Sequence, residues 1–179
     1  EWLRVPSTCT EAAQYALFQS GNRMRPLLAL TSYAAIRGDW HDAQIIDFAI
    51  LLEWFHKTSL VLDDILDGDD FRKGKPTLHR AYGHNPAFMT GIAMLCVGYD
   101  ALARKMATAE WQDVGTTILD GLNQCLVGQA EDIAWETAVG NLDAYRAVIA
   151  GKTASLSRLA LQIAGLLARG SDQQVADLA

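Results

Sequence analysis

Apolar residues recur at helical spacing along most of the chain, and one stretch shows it most clearly. Ile45, Ile46, Phe48, Ala49, Leu51, Leu52, Phe55, Leu60 and Leu62, with the small Ser59 among them, keep a 3.6-residue period. This predicts a long helix that ends near Gly68. Two shorter helices are predicted before it. Thr8 with Glu11 three residues later reads as a capping box, which starts a helix running to about Ser20 and stopped by Gly21. A second covers roughly Arg25 to Arg37, with Pro26 in its first turn and Gly38 at its end. Beyond the long helix, Asp69 to Pro76 is charged, carries Gly74 and Pro76, and reads as a loop. Helices follow near 87–107, 111–137 and 142–169. Gly115, Gly121 and Gly128 are expected to weaken the middle one locally, and Gly151 to permit a kink in the last. Ser171 or Asp172 starts a further helix. The pattern holds no β-alternation, repeat, linker or low-complexity tract. It predicts one all-α domain over residues 1–179, a helical bundle. The chain begins close to a charged motif and stops early in a helix, so a portion of a longer fold is expected.

Composition agrees with helices, since the chain has only four prolines. The net charge of −6 provides no basic field for a nucleic-acid backbone. The basic residues that matter fall in two short groups, Arg23/Arg25 and Arg72/Lys73/Lys75/Arg80, which suit a compact anion better than a polymer. Cys9, Cys96 and Cys125 are odd in number and form no C-x-x-C pair, so the expected setting is a reducing cytoplasm. The apolar runs are all interrupted, and neither a membrane span nor a signal peptide is expected.

The long helix closes on Asp63-Asp64-Ile65-Leu66-Asp67. Asp63 and Asp67 are four apart and therefore share a face, one turn from each other. Two carboxylates held this way suit Mg²⁺, which prefers oxygen ligands, keeps waters, and bridges protein carboxylates to substrate phosphates. Like charges at this spacing destabilise a bare helix, and acids at a helix C-terminus oppose the macrodipole. A bound cation accounts for both; the alternative is a solvated acidic helix end. His56 lies seven residues earlier on the same face, and alone reads as a satisfied core histidine. Asp69 and Asp70 read as solvated loop acids.

Gly21-Asn22-Arg23-Met24-Arg25-Pro26 sits at a helix start, where two arginines beside the positive helix end make a phosphate site. Ordinary surface arginines are the alternative. Phe71-Arg72-Lys73-Gly74-Lys75-Pro76-Thr77-Leu78-His79 directly follows the aspartates. Its cations either cancel the acids in surface ion pairs, which contribute little, or join a metal around one diphosphate leaving group. Gln129 and Asp132 share a helical face with Glu136 one turn on, as do Tyr145 and Lys152; each alone reads as structural.

Taken in order, these segments resemble the trans-isoprenyl diphosphate synthase, or polyprenyl synthetase, family. The resemblance rests on Gly21–Pro26, Glu53 to Asp67, Arg72 to His79, Gly83, Gly128-Gln129 with Asp132, and Tyr145 with Lys152-Thr153-Ala154. It implies an antiparallel helical bundle around a central cavity, of which this chain is an incomplete portion lacking an N-terminal helix and the C-terminal helices with a second aspartate motif. It also implies a homodimer. The matching positions assign catalytic roles to Asp63, Asp64, Asp67, Arg72 and Lys152, with Mg²⁺ held by Asp63 and Asp67. Arg72 would contact the allylic diphosphate. Arg23, Arg25, His56 and Lys73 match positions that hold isopentenyl diphosphate, and Gln129, Asp132, Lys152 and Thr153 match cavity positions near the allylic substrate. The implied reaction is ionisation of an allylic diphosphate followed by 1'-4 condensation with isopentenyl diphosphate, releasing pyrophosphate. Two departures stand out. Asn22 occupies a position usually held by lysine, and Lys73 one usually held by arginine, which keeps the charge and loses bidentate geometry. Both touch the isopentenyl side, so a terpene cyclase or a prenyltransferase to another acceptor stays open; a non-catalytic regulatory homologue is a further alternative, against which the intact Asp63/Asp64/Asp67 set and Arg72 speak.

In a fold of this kind the substrate tail runs beside the aspartate-bearing helix. The small Thr58 and Ser59 lie about one turn below Asp63. Phe55 lies roughly 12 Å below it at ~1.5 Å per residue. Phe55, or Trp54 if it turns inward, is the expected floor of the chain-length pocket, for a product longer than ten carbons; plain core packing is the alternative for Phe55.

Overall fold

The computed structural model describes residues 4–19, 21–135 and 142–178, with backbone alone at positions 110, 113, 135, 144 and 153. The helices are α1 (Thr10–Phe18), α2 (Met24–Arg37), α3 (Ala43–Leu66), α4 (Leu78–Tyr82), α5 (His84–Met106), α6 (Ala109–Trp135), α7 (Leu142–Ile149), α8 (Ser155–Leu167) and α9 (Asp172–Leu178). A two-stranded antiparallel hairpin, β1 (Phe71–Arg72) and β2 (Lys75–Pro76), lies between α3 and α4, and a π-helical segment (Ala150–Ala154) joins α7 to α8. The all-α expectation holds. Contacts divide the chain into two compact units, residues 1–24 with 50–105 and residues 25–49 with 106–179.

In the first unit, the core gathers Ala12, Ala13 and Ala16 of α1, Trp54 and Val61 of α3, Leu78 of α4, and Ala87 and Met94 of α5. Small residues let α5 approach α3: a methyl group added at Gly91 would meet Leu62, and one at Gly98 would meet the Phe55 ring. The Trp54 indole N–H donates to the Met94 carbonyl at 2.7 Å, which satisfies its only polar atom inside the core. By length and composition α5 could cross a membrane, but here its small and apolar residues pack on α3.

The hairpin corrects the expected loop over 69–76. Lys73 and Gly74 both adopt left-handed backbone (φ 51° and 77°), the pair of conformations that a two-residue type I′ turn requires. Phe71 pairs with Pro76 and Arg72 with Lys75. The buried Thr77 anchors its base, with the hydroxyl donating to the Asp69 carbonyl at 2.7 Å and the N–H to the Asp70 carbonyl at 3.0 Å. From α1, the Tyr15 hydroxyl and the Gln19 amide both donate to the Pro76 carbonyl, at 2.8 and 3.0 Å. The capping box expected at Thr8 does not form. Ser7–Cys9 is a 3₁₀ turn, α1 begins at Thr10, and no side chain caps it. A box of the same kind forms instead at Ser171, whose hydroxyl accepts from the Gln174 N–H while the Gln174 side chain accepts from the Ser171 N–H.

In the second unit α6 packs against α7, the π segment and α8, and α8 packs against α9. Leu156, Leu159, Ala160, Ile163 and Ala164 of α8 are buried. α6 runs unbroken through Gly115, Gly121 and Gly128. Each is a point of close packing: added methyl groups would meet Met106, Leu159 and the Gly151–Lys152 backbone. The helix expected over 142–169 is divided at Gly151, where the kink takes the form of the π segment.

Candidate active site

Polar residues form a stripe from the middle of α3 to its end: Glu53, His56, Lys57, Asp63 and Asp64 follow one another at helical spacing, and Asp67 continues it just past the helix end. The hairpin delivers Arg72 to the end of that stripe. Its Nε donates to Asp64 Oδ1 at 2.5 Å, and its Nη2 lies 3.5 Å from Asp63 Oδ2. Arg72 therefore holds two of the three aspartates. Asp64 is buried, and burial is the main influence pushing its carboxyl above the usual carboxylate range; Arg72 pulls it back, while Asp63 and Asp69 add to the rise. Asp67 is exposed, one turn beyond Asp63.

The donor chemistry fits Mg²⁺. Asp63 and, just past the end of α3, Asp67 offer carboxylate oxygens of the kind Mg²⁺ takes, while Asp64 is committed to Arg72. Among the described residues no three His, Cys, Asp or Glu side chains converge as a metal cage. A cation here would thus complete its shell with water and phosphate oxygens, the usual habit of magnesium.

Further along the stripe, Arg23 donates from Nη1 to Glu53 and from Nη2 to the Leu17 carbonyl at 2.8 Å. Arg23 and Lys73 both have left-handed backbone, and Arg169 is the third such non-glycine residue among those described. Strained backbone of this kind persists where its surroundings over-determine it. Thus two of the cations expected around a diphosphate are held in costly conformations within one unit. His56 is half-buried on α3, and Arg25 is half-buried in the first turn of α2.

Sequence reading passed over Lys57. It is buried beside Glu53 and Arg23, and its ammonium donates to the Gln19 carbonyl at 3.2 Å. A lone lysine in an apolar run looks like a surface residue with its stem buried. Its place four residues after Glu53, on the polar stripe, was the available signal.

The second unit carries the other expected residues. The Lys152 ammonium lies 2.6 Å from Asp132 Oδ2, joining the π segment to α6. The helices meet backbone to backbone: a methyl group at Gly128 would lie 2.3 Å from the Lys152 nitrogen, and one at Gly151 would lie 2.8 Å from the Gly128 Cα. The Gln129 amide nitrogen is buried, with no acceptor among the described residues. Tyr145 is exposed on α7. The side chains of Thr153 and Glu136 lie outside the described residues.

Lower on α3, Phe55 is buried edge-on against Tyr99, with ring centroids 5.3 Å apart. The Thr58 and Ser59 hydroxyls donate back to the Trp54 and His56 carbonyls, at 2.9 and 2.8 Å.

Comparison with known proteins adds an independent line. The chain is 30% identical over 175 residues to a short chain isoprenyl diphosphate synthase of Methanothermobacter thermautotrophicus, which covers 97% of this chain and 53% of that protein. It is 32% identical over 173 residues to a farnesyl diphosphate synthase of Micrococcus luteus, covering 94% of this chain and 59% of the relative. The crystal structure of a geranylgeranyl pyrophosphate synthetase from Pyrococcus horikoshii superimposes with a TM-score of 0.88 at 32% identity, over 97% of this chain and 53% of that one. The chain thus spans about half the length of the curated relatives it matches. The family described as Polyprenyl synthetase matches residues 6–179, nearly all of the sequence and every motif described above, and the chain belongs to that family.

Proposed function

We propose that this chain is the part of a magnesium-dependent prenyltransferase that ionises an allylic diphosphate and condenses it with isopentenyl diphosphate, giving a longer trans-prenyl diphosphate and pyrophosphate. The observation that carries this reading is Arg72 bridging Asp63 and Asp64 at the foot of a stripe that continues into Lys57, Glu53 and Arg23. Mg²⁺ bound at Asp63 and Asp67 would supply charge neutralisation for the departing pyrophosphate.

The residues themselves do the rest. Arg72 has five N–H donors and spends two nitrogens on aspartates, so the guanidinium retains donors for an allylic phosphate oxygen. Asp63 and Asp64 hold it in place, which makes its charge available without reorganisation as the leaving group forms. Arg23, Arg25, His56 and Lys73 are assigned to isopentenyl diphosphate. Lys152, positioned by Asp132, and the Gln129 amide are assigned to the allylic cavity along with Thr153; the buried Gln129 donor supports this, because a buried N–H calls for an acceptor. Thr58 and Ser59 satisfy their own hydroxyls, so they suit the wall of a hydrocarbon pocket, with Phe55 as its floor. The proposal extends to a cytoplasmic homodimer, with small diphosphates and no nucleic acid as partners; the net charge of −6 supports the last point.

The test is incubation of the full-length protein with geranyl or farnesyl diphosphate, with and without isopentenyl diphosphate and Mg²⁺. A diphosphate five or more carbons longer than the allylic substrate supplied is expected only when that substrate, isopentenyl diphosphate and Mg²⁺ are all present. A hydrocarbon or an adduct to another acceptor would overturn chain elongation, and no magnesium-dependent turnover would overturn the enzyme reading.

A further inference from the structure

Lys57 is a buried cation that forms no ion pair among the described residues. It is 5% exposed, and among the described residues its one hydrogen bond goes to a neutral carbonyl, that of Gln19, at 3.2 Å. Among those residues no carboxylate lies within ion-pair distance of it. The nearby carboxylate, Glu53, is already bound to Arg23. Burial above all, and then the charges of Arg23, Lys73 and Arg72, pull the Lys57 ammonium below its ordinary range; Glu53 acts the other way. Burying an ammonium with one neutral acceptor is costly, and such a group ordinarily has a charged partner.

The geometry shows where a partner can arrive. Lys57 Nζ lies under the exposed Gly21: a methyl group there would be 3.5 Å from Nζ and 4.0 Å from Arg23 Nη1. Both cationic groups therefore lie within 4.0 Å of the place a side chain at Gly21 would take. Lys73, on its left-handed turn, forms no ion pair among the described residues either. Two of the four cations in this cluster therefore lack a carboxylate, while Arg23 and Arg72 have theirs. A doubly or triply charged compact anion would correct the imbalance. Asn22, next to Gly21, brings no charge of its own.

We propose that Lys57 is a diphosphate ligand on the isopentenyl side of the site, supplying from α3 the positive charge that Asn22 does not supply from the neighbouring loop. This role rests on the prenyl-transfer reading above. It makes the identity of the cation depend on two positions, 22 and 57, which can be exchanged against each other.

The experiment uses the full-length protein, its Lys57→Met variant, and Lys57→Met combined with Asn22→Lys. In Lys57→Met the KM for isopentenyl diphosphate should rise about tenfold, the loss of one charge-assisted hydrogen bond. The KM for the allylic diphosphate and kcat should each change less than about twofold, since the group acts in uniform binding of one substrate. Asn22→Lys should recover most of the lost affinity. Because methionine replaces a buried charge by an apolar chain of similar length, the variant should melt at or above the wild-type temperature. An unmoved KM for isopentenyl diphosphate, or an equal rise for both substrates, would overturn the role of Lys57. Calorimetric titration with inorganic pyrophosphate separates this from the wider reading. If the wild type catalyses no condensation, the prenyl-transfer reading fails; weaker pyrophosphate binding by Lys57→Met would still support the anion cradle, and equal binding would overturn it.

Discussion

Arg72 and Lys152 are both cations held against a carboxylate, yet the chain positions them by different means. Arg72 sits on a hairpin a few residues beyond its partners, and its place follows from one tight turn and the buried Thr77. Lys152 lies twenty residues from Asp132, on a π-helical segment that contacts α6 through a pair of glycines. The first arrangement is local and redundant, with two carboxylates on one guanidinium. The second depends on how closely two helices approach. Local positioning should fail through chemistry, and positioning by packing should fail through volume.

Four substitutions sharpen that contrast. The largest effect is expected for Asp63→Asn, which removes a charge from the hairpin-held cluster and leaves its shape. Pyrophosphate release from the allylic substrate by the full-length protein should fall on the order of 10²–10³-fold, with the melting temperature little changed. Gly128→Ala should act in the opposite way. The added methyl group meets backbone atoms at 2.3 and 2.4 Å, which cannot rotate aside, so a loss of about 3 kcal/mol is expected in denaturant unfolding. A neutral result would show that the helices have room to part.

Gly74→Ala is the local counterpart. It places a side chain at φ 77° and should cost about 1–2 kcal/mol, detectable as faster amide exchange confined to the hairpin. Asp42→Asn gives the baseline of an ordinary half-buried contact. Asp42 accepts from the Gln44 N–H and from the Tyr33 hydroxyl, and in that order these hold its carboxyl below the usual range. A depressed carboxylate stabilises the fold above its unfolded pKa and loses that contribution as pH falls through the folded one. The wild type should therefore exceed the variant by about 1 kcal/mol at pH 7, an advantage that fades below about pH 4 in thermal melts.

The same contrast explains what was legible in the sequence. α3, the Asp63/Asp64/Asp67 set and Arg72 announce themselves through periodicity and adjacency. The hairpin looks like a loop in the sequence because its strands are two residues long and show no alternation; only the left-handed pair at Lys73-Gly74 makes it a hairpin. The Thr8–Glu11 box matched its pattern and failed, because residues 7–9 turn too tightly to begin the α-helix there, whereas Ser171–Gln174 succeeded. Glycines in α6 looked like weak points, since sequence carries a residue's helix propensity but not its neighbours. Lys57 was missed for the same reason, because burial is a property of the folded chain.

The hairpin register also sets a limit on change in length. The Asp69 and Asp70 carbonyls hold Thr77 at the hairpin base, so inserting or deleting one residue between Gly68 and Phe71 would break that anchor and shift Arg72 away from Asp63 and Asp64. Indels in this stretch should therefore be as damaging as substitution of Arg72 itself, although an acidic, glycine-containing connection would ordinarily be the first place to tolerate them.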